Sequence, residues 1–106
     1  MTQAHEQVPA TLATIEAALA QATTRQDIEV MVRRTADLVA ALGGYYQSRV
    51  LEYQAAQAMT AYIAVTQLEE ELHRVLLPFL SGYDVERVAL DLMRLLRLAR
   101  QAWDLL

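Results

Sequence analysis

Between Asp84 and Leu106 the residues Val85, Val88, Leu92, Leu95, Ala99, Ala102 and Leu106 recur at alternating steps of three and four. That spacing returns to one side of an α-helix every two turns, and it predicts a helix that packs on other helices. Ala89, Leu96 and Trp103 widen the stripe, whereas Leu90, Met93, Leu98 and Leu105 fall well away from it. The segment carries more apolar surface than one small core requires, a pattern that marks interaction sites.

The same period runs through the rest of the chain. Val8, Leu12, Ile15, Leu19 and Ala22 predict a helix from about Pro9 to Ala22, with the proline suited to the opening turn. Ile28, Val32, Thr35, Val39 and Leu42, flanked by Met31 and Leu38, predict a second helix opening at Thr24. There Thr24-x-x-Asp27 has the form of a capping box with the shorter acid. Gly43-Gly44 is expected to close it, because glycine takes the left-handed conformation of a helix end without a Cβ penalty. One long central helix is then expected over about residues 45–77, ~50 Å at 1.5 Å per residue, with Pro78 limiting its run. Its seam reads Leu51, Ala55, Ala58, Tyr62 and Val65, then shifts phase to Leu68, Leu72, Val75 and Phe79, an offset expected to overwind or bend the helix. Ala55, Ala56, Ala58, Ala61 and Ala64 remove bulk and let another helix approach closely. Ser81 or Asp84 is expected to cap the terminal helix.

These elements predict a single all-α domain over residues 1–106, a four-helix bundle-like fold with short turns and with residues 1–8 as a flexible N-terminal segment. At 106 residues the chain can bury one modest core. Closed four-helix monomers prefer matched helix lengths. The overhang of a long central helix is therefore expected to be covered by self-association, most economically as a homodimer.

Composition narrows the class. A 55% hydrophobic content excludes a disordered chain. The absence of cysteine excludes disulfides, thiolate metal sites and a cysteine nucleophile. No apolar run approaches the ~20 residues that cross a bilayer, and residues 1–9 hold no apolar signal segment. The expectation is a soluble, cytoplasmic protein with no membrane partner. All nine basic residues are arginine, and the net charge of −4 argues against a broad nucleic-acid-binding face.

Chemistry has few footholds. Glu70 and His73 have the Glu-x-x-His spacing that puts a carboxylate and an imidazole on one helix face, as in di-iron bundles. The second such pair is missing, since the other histidine is His5. Two copies of the chain would each bring a Glu70 and a His73, but Glu16, Glu29 and Glu52 have no matching spacing. Glu69, Glu70 and Glu71 with Glu86 and Asp91 resemble in composition the paired acidic helices of all-α nucleotide pyrophosphatases, where carboxylates hold magnesium. Leu72 and His73, however, stand where the i+3 and i+4 acids would be needed. Ser48 and Ser81 sit in no nucleophile motif, and no glycine-rich phosphate loop is present. No catalytic, cofactor-binding or metal residue is assigned, and an enzyme is not expected.

Most arginines have an acidic neighbour one helical turn away. Arg25 and Arg33 have Glu29, Arg34 has Asp37, Arg49 has Glu52, Arg74 has Glu70, Arg87 and Arg94 flank Asp91, and Arg100 precedes Asp104. Only Arg97 lacks one, which makes it the arginine most suited to a partner's acid or phosphate. Tyr46 and Tyr53 share a face with Val50, Tyr62 falls on the alanine seam, and Tyr45 and Tyr83 abut turns, so packing is favoured over an aromatic platform.

The reading is a non-catalytic helical adaptor or small structural subunit that acts by protein–protein association, with itself, with another protein, or with both. Its interface is assigned to Leu90, Met93, Arg97, Leu98, Trp103 and Leu105, with the alanine-rich surface of residues 55–64 as a second contact. The alternatives are an accessory subunit of a nucleic-acid complex using Arg33, Arg34, Arg97 and Arg100, and a metal-dependent all-α nucleotide hydrolase built on Glu69 to Glu71.

Overall fold

The computed structural model describes residues 7–80, 82 and 84–106. It contains four helices, α1 (Val8–Gln21), α2 (Arg25–Arg49), α3 (Ala55–Leu80) and α4 (Val85–Leu105), with a 3₁₀ turn at Val50–Glu52 and no strand among the described residues. Three short connections make sequential helices antiparallel neighbours. α2 and α4 touch across the middle, and α1 and α3 lie on opposite sides of that pair. The fold is an all-α four-helix bundle.

The apolar periods of α1, α2 and α4 become the core. Val8, Leu12, Ile15 and Leu19 of α1, Ile28, Met31, Val32, Leu38, Val39 and Leu42 of α2, and Val88, Leu92, Leu95, Leu96, Ala99 and Ala102 of α4 are buried together. Thr35 is the buried polar exception, and its hydroxyl donates to the Met31 carbonyl at 2.7 Å, so no orphaned donor is created. Val8 opens α1 and is 3% exposed, so the packed body begins inside the segment expected to be flexible; residues 1–6, with His5, lie outside the described residues.

The helix starts follow local chemistry. Pro9 sits in the opening turn of α1. At α2 the capping box is complete: the Asp27 N–H donates to Thr24 Oγ1 at 3.1 Å, and the Asp27 carboxylate accepts from the Thr24 N–H at 3.3 Å. Hydrogen bonds from the Thr23 backbone first, then from the Thr24 side chain and backbone, hold the Asp27 carboxyl below its ordinary pKa. Asp84 caps α4 by accepting from the Glu86 N–H at 3.0 Å. Ser81, the other expected cap, and Tyr83 lie outside the described residues.

The long central helix over residues 45–77 does not form. α2 instead continues through Gly43-Gly44 to Arg49, and α3 starts at Ala55. Neither glycine takes a positive φ. Two helical glycines cost about 1 kcal/mol each relative to alanine, but stopping at Leu42 would leave Tyr45, Tyr46 and Arg49 without the contacts they make in the last turns of α2. The break falls where Tyr53 turns inward with extended backbone and is 9% exposed, while Leu51, expected on the seam, stands at the tip of the turn 97% exposed. The helices have 14, 25, 26 and 21 residues, so the expected spine over residues 45–77 is replaced by two helices of nearly equal length, and α1 is the short one.

With α3 starting at Ala55, its inner seam has no phase shift. Ala58, Ala61, Val65, Leu68, Leu72, Val75 and Phe79 advance by steps of three and four and are buried or half-buried throughout. Ala61 at 0% exposure takes the place expected of Tyr62, which is 54% exposed. Of the five alanines, Ala61 and Ala64 are buried within the chain, while Ala55 and Ala56 stay exposed. α3 ends at Leu80, two residues beyond Pro78, whose missing N–H deprives the Arg74 carbonyl of its helical donor.

Candidate functional site

Opposite its inner seam, α3 presents a second row at the same spacing: Met59, Ile63, Thr66, Glu70, His73, Leu77 and Leu80. At about 100° per residue these positions centre roughly 140° from the buried row. Met59 is 61% exposed, Ile63 50%, Leu77 67% and Leu80 77%, with Tyr62 beside Ile63. The row is thus apolar at both ends and polar in the middle. Glu70 and His73 make no ion pair or hydrogen bond among the described residues.

Beside this row a groove of about 650 Å³ runs between α2 and α3. Its floor on the α2 side is Ala36, Ala40 and Gly43, and its α3 wall includes Tyr62, Thr66 and Glu69. Gly43 faces α3 closely, since a Cβ there would stand 3.8 Å from Glu69 Oε1 and 3.9 Å from Val65 Cγ1.

The interface residues assigned on α4 divide. Leu90 is 64% exposed, Met93 49% and Leu105 44%, and Arg97 is also exposed, so Leu90, Met93 and Arg97 form one exposed stripe. Leu98 and Trp103 turn inward: both are half-buried against the core. The reason is that α3 packs along the Leu98 side of α4, while Trp103 stacks on Tyr45 of α2 with ring centres 5.2 Å apart.

Several arginines leave their expected local partners for other helices. Arg94 lies 3.9 Å from Glu71 of α3, Arg100 pairs with Glu16 of α1, and Arg25 stacks on Phe79 and donates to its carbonyl at 3.4 Å. Arg74 pairs with Glu71 at 2.9 Å in place of Glu70. Arg33–Glu29, Arg49–Glu52 and Arg87–Asp91 form as spaced. Arg97 forms no ion pair among the described residues, and it lines a notch of about 180 Å³ with Arg100 and Met93. Arg34 lines a different groove, on the α1–α2 side. The basic strip expected from Arg33, Arg34, Arg97 and Arg100 is therefore divided by α1, and two of its members are already paired with carboxylates.

The acidic run diverges as well. Glu69 lines the α2–α3 groove, Glu70 points along the outer row, and Glu71 is half-buried toward α4 between Arg74 and Arg94. Asp91 faces Arg87. Among the described residues no group of three or more His, Asp or Glu is placed to hold a metal ion.

Sequence reasoning did not find the polar-aromatic lock at the far end of α2. Arg49 Nη1 donates to the Tyr45 hydroxyl and, at 3.1 Å, to the main-chain oxygen of Leu106; its guanidinium lies 5.1 Å from the Tyr45 ring centre and 5.3 Å from that of Tyr53. The Tyr53 hydroxyl donates to the same Leu106 oxygen at 3.2 Å, and Tyr46 stacks between Tyr53 and Tyr62. The Tyr45 hydrogen bond first, then that to Glu52, raise the Arg49 pKa. Burial raises the Tyr53 pKa against the opposing pull of Arg49. The lock ties the α2–α3 turn to the end of α4, and its rings are engaged in packing. The seven-residue spacing of Tyr46 and Tyr53 was the available signal.

No helix among the described residues is long and apolar enough to cross a membrane. Comparison with known proteins finds no match to this chain, whether among protein-family models, curated protein sequences or solved structures.

Proposed function

We propose that the chain is a non-catalytic helical adaptor or small structural subunit of the cytoplasm that works by associating with protein. The observation that carries this reading is the outer row of α3. Met59, Ile63, Leu77 and Leu80 stand half to three-quarters exposed although the core is complete without them. Burying such a side chain contributes about 1.5–3 kcal/mol, so covering the row would release a large part of the 5–15 kcal/mol typical of a small domain's net stability. Rows of this kind on helices serve as anchors for partner helices. The exposed Leu90 and Met93 of α4 offer a smaller secondary contact.

The test is the size of the native assembly. A tagged chain expressed at its native level should elute from its host's extract well above its own 11.9 kDa. The double variant Ile63→Glu with Leu77→Glu should elute at the monomer position with its helicity intact. Elution of the unaltered chain at monomer size overturns the proposal. So does salt-sensitive capture of RNA or DNA at low ionic strength that Arg97→Ala abolishes.

A further inference from the structure

No further inference is drawn: the strongest candidate, the exposed outer row of α3 at Met59, Ile63, Leu77 and Leu80 together with the α2–α3 groove beside it, carries nothing beyond the association already proposed, because nothing in the structure shows what covers it.

Discussion

The inner and outer rows of α3 advance by the same steps on opposite sides of one helix, yet their composition differs in two ways. The inner row begins with Ala58 and Ala61 and stays apolar to Phe79, whereas the outer row begins with Met59 and Ile63 and is interrupted by Thr66, Glu70 and His73. The difference teaches that side-chain size alone does not mark the core. Where two helices come close, alanine is the residue that fits. The larger apolar residues Met59, Ile63, Leu77 and Leu80 remain exposed.

The widest separation between the rows is expected on truncation. Leu68 is 1% exposed in the core, so Leu68→Ala removes buried methyl groups and leaves a cavity; it should cost about 2–5 kcal/mol in chemical denaturation. Leu77 is 67% exposed, and Leu77→Ala at concentrations low enough to hold the chain monomeric should change stability by no more than about 0.5 kcal/mol. A cost for Leu77→Ala comparable with that for Leu68→Ala would break the comparison, because the outer row would then belong to the monomer's own core.

Much of the fold is legible in the sequence. α1, the capping box of α2 and the buried stripe of α4 follow from period and caps, since each signal is local and nothing tertiary opposes it. The α2–α3 joint was not legible. Gly43-Gly44 carries a strong helix-stop signal, but burial of the residues beyond it outweighs a propensity difference of about 1 kcal/mol per glycine. An unbroken seam from Ala58 to Phe79 was present in the sequence, and preferring the larger Tyr62 over Ala61 concealed it. Of the assigned interface on α4, angular placement correctly set Leu90 and Met93 apart from the core. It failed for Leu98, because a helical wheel does not say on which flank the neighbouring helix lies.

The comparison also depends on α3 beginning where it does, and Tyr53 holds that start. Tyr53→Phe removes the hydrogen bond to the Leu106 main-chain oxygen and should cost about 1 kcal/mol. The pKa of Tyr53 is raised from 10.0 in the folded chain, principally by burial. The folded state therefore holds the phenolic proton more tightly than the unfolded state does. This contribution is fully present below about pH 10 and is lost as the pH rises through the folded value. Thermal melts of the unaltered chain should fall more steeply above pH 10 than those of Tyr53→Phe; parallel curves would show that the hydroxyl does not hold the joint.

The smallest expected effect is a gain, and it bears on the groove beside the outer row. Gly44 is exposed, helical, and has open space where a Cβ would be, so Gly44→Ala should stabilise the chain by about 0.5–1 kcal/mol by restricting the unfolded state and restoring helix propensity. At Gly43 the same change places a Cβ at ordinary contact distance from Val65 and Glu69, so a similar gain is expected with slight extra packing. The two alanine variants together read the spacing of α2 and α3 from opposite sides. A gain at Gly44 with a loss at Gly43 would mean that the helices approach more closely than 3.8 Å from that Cβ allows. The groove floor would then be shut, and the exposed row of α3 would stand alone on that side of the bundle.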